Sequence, residues 1–187
     1  METTVANSYN NIPVRQLGPA DRDAYFALRL QGLKSHPEAF ATSYDEALQK
    51  GPSIHDAMLQ GTHAADGNLL LGAFAPENES LIGIVGLERQ QRTKECHKAF
   101  VFGMYVTSEA AGRGVGRALL TELFARVTQI DGLRQIQLVV ASTNNAARRL
   151  YESFGFQAYG REIDALYINR VAQDADYMAR FLHTRPN

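Results

Sequence analysis

Cysteine is almost missing from this chain of 187 residues. With Cys96 alone, no internal disulfide can form and no cysteine zinc cluster can be built. An excess of charge is missing as well. The 19 lysines and arginines are balanced by 20 acids, a formal net charge of −1. No overall positive field therefore draws nucleic acid or anionic lipid, and any anion site has to be local. Long apolar runs are absent: the longest, Leu69 to Ala75 and Leu81 to Leu87, fall far short of the roughly 20 residues that cross a bilayer. The opening METTVANSYNN lacks the basic start and apolar stretch of a secretory leader. None of the five histidines shows HExxH or comparable ligand spacing. These absences predict a cytoplasmic protein with no membrane partner, no nucleic-acid partner and no metal.

What is present reads as one packed domain. Hydrophobic residues make up 45% and charged residues 21% of the chain, proportions of a globular protein rather than a disordered one. Ile12 to Leu17 predicts a short strand. Pro19, suited to a helix's first turn, precedes an amphipathic helix over Asp21 to Lys34 with Tyr25, Leu28 and Leu33 on its apolar face. His36-Pro37 breaks it, a second helix is expected over Glu38 to Gln49, and a third, short one over Ser53 to Gln60. Leu69 to Ala75 and Leu81 to Glu88 flank the PENES turn as a hairpin. Lys98 to Val106 (KAFVFGMYV) has the aromatic and branched content of a buried strand, with Gly103 marking a bulge or close approach. Val115, Leu119, Leu123 and Val127 recur every four residues along the clearest helix of the chain. Arg134 to Val140 predicts a strand, Asn144 to Phe154 a helix stopped at Gly155, and Phe156 onward a strand; the tail, about Ala165 to Leu182, reads as two more.

Gly112-Arg113-Gly114-Val115-Gly116-Arg117 follows a strand and opens a helix, where unpaired N–H groups and the helix dipole attract anions. Arginines near a helix start are unfavourable unless an anion offsets them. The loop lacks the GK[ST] of a nucleotide hydrolase, and its GxGxG spacing differs from the GxGxxG of dinucleotide folds. Taken alone, it also fits a plain glycine-rich turn with solvated arginines. In the same way Ala147, Leu150, Tyr151 and Phe154 share one helical face, and periodicity alone would make Tyr151 a core residue.

The two segments together are more specific. With Gly114 and Gly116 in the first, and Asn144, Ala147, Leu150, Tyr151, Gly155 and Phe156 matching NxxAxxLYxxxGF in the second, the chain resembles the GNAT superfamily of acetyl-CoA-dependent N-acetyltransferases. Ala111 stands where that family usually has Arg or Gln. The resemblance implies an α/β fold of α+β type in a single domain: a mixed, mostly antiparallel sheet with two splayed parallel central strands, flanked by helices. Residues 1–65 would form the acceptor side, 69–162 the acetyl-CoA-binding core and 163–187 the C-terminal strands. It implies that Met104, Tyr105 and Val106 offer backbone groups to the acetyl and pantetheine arm. Gly112, Arg113, Gly114, Val115, Gly116 and Arg117 would hold the pyrophosphate, Asn144 and Ala147 would line the cofactor's arm, and Tyr151 would point at its sulfur. It also allows a homodimer.

Acetyl transfer to an amine needs a base, an oxyanion donor and a proton for the departing thiolate. A phenol near pKa 10 and a thiol near 8.5 suit Tyr151 to the last task. The Val106 N–H is the expected oxyanion donor. Glu88, closing the apolar strand IGIVGLE, is the first candidate base and His97 the second. Cys96 and His97 are sequence neighbours that a strand would turn to opposite faces, which favours direct transfer over a covalent cysteine route. The expected acceptor is a primary amine of a small molecule or peptide, and Glu38, Asp45 and Glu46 are acids that could attract it. The alternative is a non-catalytic acyl-CoA-binding regulatory module.

Overall fold

The computed structural model describes residues 12–61 and 67–182; the opening through Asn11, on which the expectation about a leader falls, lies outside them. The strands are β1 (Val14–Gln16), β2 (Leu69–Phe74), β3 (Leu81–Arg89), β4 (Lys98–Val106), β5 (Gln135–Ala141), β6 (Gln157–Ile168) and β7 (Val171–Phe181). They make one sheet in the order β1-β2-β3-β4-β5-β7-β6. Every neighbouring pair is antiparallel except β4 and β5, which run parallel and meet only where Lys98–Phe100 face Gln135–Gln137. Beyond Phe100 and Gln137 the two strands part. Their C-terminal halves are the walls of a cleft in the middle of the sheet.

Helices cover both faces. On one side α4 (Val115–Val127) buries Val115, Leu119, Leu120, Leu123, Phe124 and Val127 against Val85, Leu87, Ala99 and Val101 of the sheet. It lies so close that a Cβ on Gly83 would stand 2.9 Å from the Val115 side chain. On the other side α1 (Arg22–Ser35) packs Tyr25 and Leu28 over Leu70, Ile84 and Tyr105, and Gly32 leaves room for the Tyr105 ring, whose Cγ would be 2.9 Å from an added Cβ. Apolar burial of about 25 cal/mol per Å² on each face holds the helices to the sheet.

The register of β3 against β4 contains the irregularity expected at Gly103. Ile84 faces Tyr105 but Gly86 faces Phe102, so β4 carries one extra residue there. Gly103 sits at φ 61°, a left-handed conformation that glycine adopts without steric cost. An added residue reverses which side chains face which way. Val101 packs on the α4 side and Phe102 on the α1 side, whereas after the bulge Met104 and Val106 pack on the α4 side and Tyr105 on the α1 side.

Two expectations are corrected. The tail forms one long hairpin rather than a strand to residue 162 followed by two more. β6 runs through to Ile168, with Asp164 at φ 56° where its register with β7 shifts, and the Asp164 N–H donating to Asp174 Oδ1 at 3.0 Å. The bulge bends the strand without ending it. The helix expected over Glu38 to Gln49 is split into a 3-10 turn at Pro37–Ala39 and α2 (Tyr44–Lys50). Ser43 and Glu46 form a capping box, with Glu46 N–H donating to Ser43 Oγ and Ser43 N–H to Glu46 Oε2. This pair sets the later start. Pro52–His55 forms another 3-10 turn and leads into α3 (Asp56–Leu59).

A buried carboxylate ties the hairpin to α5 (Asn145–Ser153). Asp176 is 3% exposed. It accepts hydrogen bonds from Arg161 Nε at 2.6 Å and Nη2 at 3.1 Å, and Arg148 Nη1 lies 3.2 Å away. The Arg161 hydrogen bonds hold the Asp176 carboxyl below its usual range. A lowered folded-state pKa contributes stability that is present above the unfolded value near 3.9 and lost as pH falls through the folded value. Asp176→Asn is expected to lower the urea midpoint at pH 7, and the gap from the parent protein should close below about pH 4; a gap independent of pH would show that packing, not charge, is lost.

Candidate active site

The cleft opened by the divergence of β4 and β5 has a volume of about 1200 Å³. It is lined by Met104, Tyr105, Val106, Gly112, Gly114, Val115, Gly116, Arg117, Asn144, Ala147 and Tyr151, and also by Glu88. Residues that are far apart in sequence thus share one wall system.

The Thr107 N–H donates to Ile82 C=O at 2.9 Å. Since hydrogen-bonding directions alternate along an antiparallel strand, the N–H and C=O of Val106 turn away from β3, toward the side that β5 has left. That exposes an unclaimed backbone donor inside the cleft, where it is worth more than in water.

The glycine loop stands at the same end. Gly112 and Gly114 have φ of 73° and 87°, and a Cβ on either would meet nothing within 4 Å. Their requirement is therefore conformational, and the side they present is open. Gly114 is the N-cap of α4, and no side chain caps this helix. The first N–H groups of a helix have no partner inside it, so the amides of Val115, Gly116 and Arg117 are left for a ligand, with the positive end of the helix dipole behind them. Val115 contributes only backbone, since its side chain is 1% exposed in the core. Arg113 is exposed. Arg117 reaches over α5: its guanidinium carbon is 5.6 Å from the Phe154 ring centre and Nη2 is 3.4 Å from Ser153 Oγ.

Tyr151 lies on α5, 8% exposed, edge-on to Phe156 with ring centres 5.8 Å apart. Its hydroxyl meets the thioether of Met104, Sδ at 3.5 Å, a weak acceptor. Burial pushes the phenol up to about 12, above the ordinary value near 10. The hydroxyl thus stays protonated across the neutral range and holds a hydrogen bond that a better acceptor would take over. Asn144 lines the cleft; its Oδ1 accepts the Ala147 N–H at 3.0 Å and caps α5, which leaves its amide hydrogens available to a ligand.

Glu88 is exposed, lines the cleft and pairs with Phe100. Phe100 and Val106 are six residues apart on β4, roughly 20 Å if that stretch is fully extended, so Glu88 and Val106 sit toward opposite ends of the strand. His97 and Cys96 lie at the β3–β4 turn, away from the cleft lining, where Cys96 Sγ donates to Thr93 C=O. Of the acids Glu38, Asp45 and Glu46, only Glu38 lines the cleft; Asp45 and Glu46 are exposed on the first turn of α2.

Sequence reasoning missed the wall opposite the glycine loop. Arg29 of α1, His55, Met58 and Phe102 all line the cleft. His55 stacks on Phe102 with ring centres 6.3 Å apart and meets Tyr25 edge-on at 5.2 Å. A Cβ on Gly86 would lie 2.3 Å from Phe102 Cζ, so Gly86 makes the space this ring occupies. Arg29 carried a readable signal, being a cation on the helical face that holds Tyr25 and Gly32. His55 and Phe102 had none, because their meeting depends on tertiary packing.

The family model that matches residues 33–156 is that of the acetyltransferase (GNAT) family. The chain belongs to this family. Its central strands, glycine loop and Tyr151 helix all fall inside the matched segment. It is 26% identical over 143 residues to a mycothiol acetyltransferase from Brachybacterium faecium, covering 76% of this chain and 40% of the relative. The chain spans about half the length of the curated relatives it matches. A crystal structure of a GNAT-family acetyltransferase from Streptococcus pneumoniae superposes with a TM-score of 0.81 at 25% identity, covering 92% of this chain and 100% of that one. A phosphinothricin acetyltransferase from Sinorhizobium meliloti, solved in complex with AcCoA, superposes with a TM-score of 0.77 at 20% identity, covering 94% of this chain and 93% of that one. No helix among the described residues is long and apolar enough to cross a membrane, and no group of three or more His, Cys, Asp or Glu among them could hold a metal ion.

Proposed function

We propose that this chain is a cytoplasmic acetyltransferase that moves the acetyl group of acetyl-CoA onto a primary amine of a small molecule or peptide. The observation that carries the reading is one cleft holding both an uncapped glycine-rich helix start and a buried, neutral phenol. Residues 1–65 would be the acceptor side, 69–162 the acetyl-CoA-binding core and 163–187 the C-terminal part, the last boundary falling inside β6.

The amides of Gly114 to Arg117 bind the diphosphate, and the amide hydrogens of Asn144 approach the pantetheine arm beside Ala147. The Val106 N–H donates to the thioester oxygen, stabilising the negative charge that grows there as the amine nitrogen attacks the carbonyl carbon. When the carbon–sulfur bond breaks, Tyr151 donates a hydrogen bond and then a proton to the sulfur. A phenol near 12 is a weaker acid than sequence alone suggests, but a thiolate leaving into the same desolvated cleft is raised for the same reason. The amine's proton leaves through water, with Glu88 as its acceptor. Cys96 takes no part. The exposed edge strand β6, with Ile163 and Tyr167 each 70% exposed, supports pairing of two copies, which light scattering would measure.

Mixing the protein with acetyl-CoA and a panel of primary amines should release free thiol with sequential kinetics, and Cys96→Ala should keep that rate. Tight acetyl-CoA binding without thiol release from any amine would favour the non-catalytic module instead.

A further inference from the structure

Arg29 is half-buried on the inner face of α1 and lines the cleft on the acceptor side. Its Nη1 would stand 3.3 Å from a Cβ on Gly103, which puts the guanidinium against the β4 bulge. Around it are Tyr25, 2% exposed, whose neutral hydroxyl is hydrogen-bonded to Arg29 but brings no negative charge, and His55. Burial and the Arg29 charge push His55 down to about 4, so it stays neutral and does not compete for an anion. Among the described residues the ion pairs engage Arg15, Arg22, His36, Arg92, Lys98, Arg126, Arg148 and Arg161; none engages Arg29. Removing a guanidinium from water is costly unless an anion meets it. Its planar fork fits a carboxylate with two parallel hydrogen bonds.

We infer that Arg29 anchors the carboxylate of the acceptor, and that the acceptor is an α-amino acid with an apolar side chain. This rests on the acetyl-transfer reading above. Gly103 precedes Val106 by three residues, roughly 10 Å of strand. A hydrogen bond to the guanidinium, the single carbon between carboxylate and amine, and a near-attack separation of about 3–3.5 Å together span about that length. A longer spacer would carry the amine past the thioester. Phe26, Phe40, Met58 and Phe102 line the same side and supply apolar walls for the side chain.

The test compares L-leucine, L-methionine and L-phenylalanine with their amides and their decarboxylated amines, following thiol release. The free acids should exceed both analogues in kcat/KM by about 10- to 100-fold, the range of a charge-assisted hydrogen bond. Arg29→Gln should bring the acid-to-amide ratio to within threefold, Arg29→Lys should restore part of it, and both should keep the parental acetyl-CoA affinity and thermal midpoint. Equal turnover of acids and amides, or a ratio unchanged in Arg29→Gln, would overturn the anchor and leave acetyl transfer standing. No thiol release from any amine, or no acetyl-CoA binding, would remove both.

Discussion

Tyr151→Phe is expected to lower kcat by about 10²- to 10³-fold, within the usual range for a positioned proton donor, while acetyl-CoA affinity stays within about twofold. The substitution removes one oxygen and keeps the ring that packs against Phe156. Among the described residues the lost hydroxyl has the Met104 sulfur as its one hydrogen-bond partner, so little native-state bonding goes with it and the thermal midpoint should barely move. The pH profile gives a second check. Burial raises the phenol to about 12; in the proposed mechanism the acid form is the active one, and it is depleted only as pH rises through that value. The kcat/KM of the parent protein should therefore show no loss from this group below about pH 11. Stopped-flow thiol release separates chemistry from product release; an unchanged single-turnover rate in Tyr151→Phe would remove the proton-donor role.

Gly114→Val should raise the dissociation constant for acetyl-CoA by about 10- to 100-fold. Gly114 holds φ 87° as the N-cap of α4, and a β-branched residue there is strained by about 1–3 kcal/mol. Relief of that strain turns the loop and misaims the amides of Val115 to Arg117. Since a Cβ at this position would touch no neighbour within 4 Å, the damage should stay in the loop, with far-UV circular dichroism unchanged. Calorimetry measures the affinity. Parental binding in a folded Gly114→Val protein would mean that the helix start does not hold the diphosphate.

Much of the wall around the glycine loop was legible in the residues because it is built from local rules. The α4 stripe, the Gly103 bulge and the glycine loop depend on helical period, backbone freedom and helix-end chemistry, each contained in a few consecutive residues. The wall built by α1, His55 and Phe102 was less legible. His55 and Phe102 are brought together from a 3-10 turn and a distant strand, and no local pattern encodes that meeting. Where local signals were misjudged, a specific residue explains it. The Ser43–Glu46 box delays α2, and Asp164 at positive φ bends β6 where a new strand was expected to begin, at about Ala165. Asn144 shows a third kind of gap, since the motif marks the residue but not that its oxygen is already taken by the Ala147 amide.

The odd residue at Gly103 divides one strand between two tasks. Ahead of it Phe100 and Phe102 line the cleft, and behind it Met104 and Val106 do; in the proposed reaction the first pair would face the incoming nucleophile and the second the donor. Because the side chains change over between the two stretches, the proposed reaction would let replacements in the first retune which amine is admitted while the second keeps its geometry toward the thioester.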